Sequence, residues 1–139
     1  YGDHRDLHLS LRRQRQMCIR DSNKTTQNFI SLWSEVHANK FQLYATQSML
    51  HWNVIFLIAD ATLNNYELTY EDICKKVNHR IGSRSSIQNV LGNSLSAGYV
   101  QKKLCHNDKR AKYYHLTESA IEEFKTLLVL DADSYEYKK

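Results

Sequence analysis

Apolar residues recur at helical spacing in the first part of the chain. Four of them follow the i, i+3, i+4, i+7 pattern of an amphipathic helix: Phe29, Leu32, Trp33 and Val36. The pattern extends this predicted helix to Phe41 and Tyr44. A second helix is predicted to begin at Thr46 or Ser48, since either hydroxyl can cap a first turn. The predicted apolar face of this second helix consists of Trp52, Ile55, Phe56, Ala59 and Leu63.

Two shorter helices are predicted in the middle of the chain, each with its own cap. Thr69 and Asp72 have the spacing of a capping box, so a helix is expected over residues 70–77. Ser83 caps the next helix, which ends before Gly98, where glycine accommodates a positive φ. The apolar face of that helix consists of Ile87, Val90, Leu91 and Leu95.

The pattern changes from helical to alternating after Gly98. Two short runs on either side of residues 106–109 alternate apolar and polar positions, which predicts a β-hairpin. Their apolar positions are Val100, Leu104, Tyr114 and Leu116. Thr117 then caps a last helix. This order predicts a mainly α protein with a small β-hairpin wing, a winged helix-turn-helix of the α+β class.

The predicted helix after Ser83 has a polar face of small side chains. At about 100° per residue, the face opposite Ile87 holds Ser85, Asn89, Gly92, Asn93 and Ser96. Hydroxyl and amide side chains can bond base edges, and small residues allow a close approach to DNA. On this helix, taken as residues 83–97, the candidate DNA-binding residues are Arg84, Ser85, Ser86, Gln88, Asn89 and Asn93.

Charge is grouped in blocks along the chain. The 139 residues carry a formal net charge of +4. Residues 75–112 hold nine basic residues and one acidic residue, whereas residues 23–74 and 113–139 each have a net charge of −3. A cationic block of this kind is typical of a polyanion-binding face. In the predicted wing, residues 99–116, the candidate DNA-binding residues are Lys102, Lys103, Lys109, Arg110 and Lys112.

Three stretches of the sequence resemble the MarR family of winged-helix transcriptional regulators. Residues 68–74 (LTYEDIC) resemble the first helix of the family's DNA-binding motif. Residues 83–91, together with Leu95 and 98–100, resemble its recognition helix and the entry to its wing. Residues 108–117 (DKRAKYYHLT) resemble the wing signature of Asp, basic residues, a strand and Leu-Thr. The last stretch is the most specific of the three.

The resemblance implies a cytoplasmic DNA-binding transcriptional regulator. It implies a homodimer in which the N- and C-terminal helices form the interface and two recognition helices read a pseudo-palindrome in double-stranded DNA. It also implies that Asp108 and Arg110 shape the wing tip, with Arg110 reaching the minor groove, and that a small aromatic effector binds. The loop 78–82 is longer than the usual turn of the family, and the last helix is short. The alternative is a winged-helix protein–protein module, in a replication or transcription assembly, whose basic face meets an acidic partner.

Other classes of function lack support in the sequence. No Gly-rich phosphate loop, nucleophile elbow or His-Glu-x-x-His pattern occurs, so neither an enzyme activity nor a cofactor is expected. Cys18, Cys74 and Cys105 lack metal-ligand spacing, so no metal site is expected. No apolar run reaches the roughly 18 residues that span a bilayer, so no membrane partner is expected.

Residues 1–22 differ in composition from the rest of the chain. They contain five Arg and no Lys, without a helical or strand period. Residues 10–22 resemble a translated sequencing adapter, a contaminant of environmental gene assemblies; the alternative is a basic arm that binds nucleic acid. We interpret 1–22 as a non-native or disordered segment, 23–130 as the winged-helix DNA-binding domain with flanking dimerisation helices, and 131–139 as a frayed tail.

Overall fold

The computed structural model describes residues 3–35 and 39–132. Its helices are α1 (Asp3–Glu35), α2 (Lys40–Ala45), α3 (Met49–Leu63), α4 (Tyr70–Lys76), α5 (Arg84–Ser96) and α6 (Glu118–Ala132). Strands β1 (Val100–Leu104) and β2 (Lys112–Leu116) form an antiparallel hairpin. The mainly α winged helix-turn-helix predicted from the sequence is therefore confirmed. In the described ranges, no helix is long and apolar enough to cross a membrane.

Helix α1 belongs to one of two compact units in the chain. That unit comprises Tyr1–Glu35 and Val129–Lys139, and the other comprises Val36–Leu128. The structure places residues 3–22 within α1, and the interpretation of residues 1–22 as a non-native or disordered segment stays a prediction. The stretch is free of Gly and Pro and rich in Leu, Arg and Gln, whose helix propensity is high even without an apolar period. The domain limits at 23 and 130 stay predictions, and most of the expected tail, residues 133–139, lies outside the described residues.

The helix predicted around Phe29 ends before Phe41 and Tyr44. Glu35 is the last residue of α1, and the predicted position Val36 lies outside the described residues. Phe41 and Tyr44 belong to α2, which begins where the Asn39 side chain accepts a hydrogen bond from the Phe41 N–H at 3.0 Å. The predicted extension was therefore wrong, because an extended asparagine is a strong N-cap and starts a new helix.

Helix α3 is the centre of the core. It begins at the predicted cap Ser48, and it packs against α2, α5 and β2. Its buried residues are Leu50, Val54, Ile55, Ile58, Ala59, Ala61 and Thr62. Leu63, which the sequence placed on the apolar face, is instead 45% exposed. Trp52 and Phe56 are half-buried, and their rings stack with 4.1 Å between centroids. Because α3 is apolar on several sides, the spacing of its apolar residues did not predict which face is buried.

The wing hairpin departs from the predicted alternation at one position. Val100 pairs with Leu116, and both are buried. Leu104 is 59% exposed, contrary to the prediction, and the adjacent Cys105 is buried instead. Leu104 pairs with the exposed Lys112 at the end of the hairpin, so this position of the wing lies away from the core.

A buried threonine of α3 holds β2 against the core. Thr62 Oγ1 donates to the Ile58 carbonyl at 2.7 Å and accepts from the Leu116 N–H at 3.0 Å. Thr62 and Leu116 are both buried, so no water replaces a lost partner. A buried N–H without an acceptor costs about 1–3 kcal/mol.

Thr62→Val is expected to lower the free energy of unfolding by about 1–3 kcal/mol, because it leaves the Leu116 N–H unsatisfied at nearly constant volume. Urea denaturation measures the change. Thr126→Val is the matched control, since Thr126 makes the same i to i−4 helix hydrogen bond at an exposed site. The control is expected to change stability by no more than about 0.5 kcal/mol. Equal losses in both variants would contradict the role of Thr62.

Candidate nucleic-acid interface

Both helices of the helix-turn-helix begin at the caps that the sequence predicted. Thr69 Oγ1 accepts from the Asp72 N–H at 3.3 Å, and the Asp72 carboxylate accepts from the Thr69 N–H at 3.0 Å, which completes the capping box. Hydrogen bonds from the Thr69 hydroxyl and N–H lower the pKa of Asp72. Ser83 Oγ accepts from the Ser86 N–H at 3.2 Å and starts α5.

Helix α5 turns its apolar face to the core and a polar face outward. Its buried residues are Ile87, Val90, Leu91 and Ser94. The Ser94 hydroxyl donates to the Val90 carbonyl at 2.6 Å, so this polar group is satisfied within the core. All five residues predicted for the outer face are exposed: Ser85, Asn89, Gly92, Asn93 and Ser96. Of the other candidates on α5, Arg84 and Gln88 are exposed and Ser86 is half-buried.

The exposed face of α5 has the chemistry that reads base edges. Ser85, Gln88, Asn89 and Asn93 offer hydroxyl and amide groups, which both donate and accept hydrogen bonds. A Cβ added at Gly92 would meet no atom within 4 Å, so space is open beside this residue. The structure therefore brings the candidate base-reading side chains together on one accessible surface.

The candidate cations of the wing are all exposed. They lie on both strands and in the turn between them, at Lys102, Lys103, Lys109, Arg110 and Lys112. Within residues 39–132, no ion pair is formed by any of them. Lys102 Nζ lies 5.6 Å from the centroid of the Tyr114 ring, a cation–π contact that leaves its charge in place. The wing therefore presents a concentrated positive charge.

The backbone of the wing tip is shaped by Asp108. Its Oδ1 accepts from the Arg110 N–H at 2.9 Å, and its carbonyl accepts from the Ala111 N–H at 3.0 Å. This bonding agrees with the role in shaping the tip that the resemblance implied for Asp108 and Arg110. Because only the backbone of Arg110 is used, its exposed guanidinium remains available to a ligand.

Arg84 differs from the other candidates because a carboxylate already binds it. Glu71 of α4 holds the guanidinium at both nitrogens, with Nη1–Oε1 at 3.0 Å and Nη2–Oε2 at 2.8 Å. This ion pair lowers the pKa of Glu71 and raises the pKa of Arg84. The role of Glu71 has no signal in the sequence, since nothing in a local pattern links residues 13 positions apart.

Glu67, which also has no signal in the sequence, attaches the wing to the segment before α4. Its Oε1 accepts from the His106 N–H at 2.8 Å and lies 2.7 Å from His106 Nδ1. These hydrogen bonds, the backbone one above all, lower the pKa of Glu67. The partners are 39 residues apart, so their contact is a product of the tertiary fold.

The cysteines near the interface are free thiols. Cys74 is half-buried and Cys105 is buried, and burial raises the pKa of Cys105. A raised pKa reduces the thiolate fraction, which makes this thiol a poor nucleophile and ligand. In the described part of the chain, no group of three or more His, Cys, Asp and Glu side chains could hold a metal ion.

The fold is shared with regulators of known structure. The chain is similar to Staphylococcus aureus MepR bound to ethidium bromide, with a TM-score of 0.55 and 14% identity over 86% of this chain and 75% of that one. It is similar to the S. aureus MepR–DNA complex, with a TM-score of 0.51 and 14% identity over 87% and 86% of the two chains. It is also similar to NadR in complex with 4-hydroxyphenylacetate, with a TM-score of 0.51 and 20% identity over 87% and 74%.

These similarities identify the class of fold. MepR and NadR are winged-helix transcription regulators of the MarR family, so the fold that the resemblance implied is confirmed. No family model matches the sequence, and no curated protein matches it either.

Glu67→Gln is expected to lower the stability of the protein at neutral pH, because it weakens the attachment to His106. The folded pKa of Glu67 lies below its usual value of 4.5, so its carboxylate contributes stability above that value and loses it as the pH falls through the folded pKa. The difference between wild type and variant should therefore shrink on acidification. Urea denaturation at a series of pH values measures it.

A control for this titration is Glu123→Gln, at a half-buried glutamate of α6. It is expected to change the free energy of unfolding by no more than about 0.5 kcal/mol. A deficit in Glu67→Gln that persists unchanged at acidic pH would contradict the assigned role of the carboxylate.

Proposed function

We propose that the protein is a transcriptional regulator that binds double-stranded DNA in a sequence-specific manner. The observation that carries the proposal is the occurrence, in one compact unit, of an exposed polar face on α5 and an exposed cationic wing. Residues 83–97 enter the major groove, and the wing, residues 99–116, contacts the adjacent backbone and minor groove. Occupancy of the operator then blocks or recruits polymerase.

The two surfaces have different tasks in this proposal. The wing cations neutralise phosphates, which supplies affinity for any sequence and steers association. The uncharged side chains of α5 read bases, because hydroxyl and amide groups distinguish the donors and acceptors of the major groove. The proposed base-reading residues are Ser85, Ser86, Gln88, Asn89 and Asn93. The proposed phosphate or minor-groove contacts are Lys102, Lys103, Lys109, Arg110 and Lys112.

The structural neighbours support both the DNA partner and an effector. MepR forms a complex with DNA. MepR also binds ethidium bromide, and NadR binds 4-hydroxyphenylacetate, both of which are aromatic small molecules. We extend the proposal accordingly to a cytoplasmic homodimer that reads a pseudo-palindrome and responds to a small aromatic effector. The proposed role is binding, with no catalytic step.

Arg110→Ala is expected to weaken binding to every duplex sequence. It removes one phosphate or minor-groove cation while keeping the backbone N–H that Asp108 holds. Each neutralised phosphate contributes about −0.9 to the slope of log affinity against log salt, so a lost phosphate contact makes the slope shallower by that amount. Fluorescence anisotropy of a labelled random-sequence duplex measures the affinity and the slope. Lys125→Ala, which removes an exposed cation of α6, should leave both unchanged.

Asn89→Ala is expected to change the sequence preference, because a good bidentate amide–base contact discriminates by about 1–3 kcal/mol. Selection of binding sites from a pool of random duplexes, with wild type and variant in parallel, measures the preference. Equal losses of affinity on all sequences would contradict base reading by Asn89.

Binding of random duplex at low salt distinguishes DNA binding from the alternative function. Phosphate contacts are strong at about 50 mM salt, so the wild-type protein should bind random duplex there at micromolar concentration. Failure to bind would contradict the proposal and favour a winged-helix module whose basic face meets an acidic protein.

A further inference from the structure

We propose that Glu71 is a specificity-determining residue, which keeps Arg84 away from DNA phosphates and holds the start of α5 against α4. This inference rests on the proposed function, and it removes Arg84, a candidate DNA-binding residue from the sequence, from the phosphate contacts. Arg84 is the only basic residue between positions 84 and 96, so its state decides whether α5 carries a free positive charge.

The first turn of α4 holds Arg84 at two places. The Glu71 carboxylate binds both terminal nitrogens of the guanidinium, and the Tyr70 hydroxyl donates to the backbone carbonyl of Arg84 at 3.0 Å. Side chain and backbone of Arg84 are thus bound to consecutive residues of one helix. We call Tyr70, Glu71 and Arg84 the clamp.

The clamp is built on a fixed support. The capping box of Thr69 and Asp72 sets the first turn of α4, and Tyr70 packs against the hydrophobic core. The loop 78–82 that joins the two helices is largely exposed and makes a short turn on Asn78, with the Ile81 N–H 2.8 Å from its carbonyl. This loop is longer than a tight turn. The clamp connects the beginnings of α4 and α5 directly, in addition to the loop.

The ion pair is better suited to controlling charge than to stabilising the fold. Its side chains are exposed to 63% for Arg84 and 55% for Glu71, and exposed pairs typically contribute about 0–1 kcal/mol. A fork-to-fork geometry, however, uses the same N–H groups that a phosphate would take. A phosphate must therefore displace the carboxylate before it binds Arg84.

The ion pair of Arg84 sets it apart from the cations of the wing. The five candidate wing cations form no ion pair within residues 39–132, so among the candidate DNA-binding cations only Arg84 is paired with a carboxylate in that range. A free cation at the start of α5 would add affinity for every sequence alike, since phosphates carry no sequence information. While Glu71 binds Arg84, α5 contributes to DNA binding through its uncharged side chains. The ratio of specific to non-specific affinity is then higher than it would be with a free Arg84.

Four proteins test the clamp: the wild-type 139-residue chain, Glu71→Gln, Arg84→Gln and the double variant. Anisotropy of a labelled random-sequence duplex is recorded across a salt series. Arg84→Gln should leave the salt slope unchanged, because Arg84 makes no phosphate contact in the wild type. Glu71→Gln should tighten non-specific binding and steepen the slope by about 0.9, as the released Arg84 gains one phosphate. The double variant should return to the wild-type slope.

The matched control is Glu122→Gln. Glu122 forms an exposed ion pair with Lys125 on α6, so its loss adds the same charge outside the α4–α5 pair. The control should leave the slope unchanged, and circular dichroism confirms that every variant is folded.

Three results would overturn the inference while leaving DNA binding intact. They are a shallower slope in Arg84→Gln, an unchanged slope in Glu71→Gln, and equal steepening in Glu71→Gln and Glu122→Gln. A wild-type protein without salt-dependent binding to any duplex would overturn the proposed function and this inference together.

Discussion

The position of the wing depends on its attachment to α3. A hairpin of two five-residue strands is at best marginally stable alone in water, and β1 is exposed at four of its five positions. The bond from the Leu116 N–H to the Thr62 hydroxyl and the burial of Tyr114 fasten β2 to the core. Because α5 packs on the same helix, α3 sets the spacing between the two parts of the candidate interface.

Charge in the folded protein is distributed differently from charge along the chain. The cationic block of residues 75–112 becomes an exposed wing with free cations and a recognition helix whose single cation is bound to Glu71. A second carboxylate, that of Glu67, contacts the wing, where it binds the backbone N–H and the ring of His106. Both carboxylates come from the acidic flank that precedes the block, so the fold brings Glu71 to Arg84 and Glu67 to His106 although the sequence separates these partners.

Prediction from the sequence was accurate where the determining contacts are local. The caps at Ser48, Thr69 and Ser83 were found because each bonds a residue three positions on. The positive φ of Gly98, 77°, was found for the same reason. Prediction failed at Leu63 and Leu104, where periodicity named a buried position and packing left it exposed.

The sequence by itself determined the order of the elements, the polar outer face of α5 and the cationic character of the wing. These follow from capping, periodicity and composition, which act over a few residues. The tertiary structure alone decided which face of α3 is buried, how the wing is fastened, and that Arg84 is held by Glu71. Those outcomes depend on contacts across 13 to 54 residues, and only the packing of the core fixes such distances.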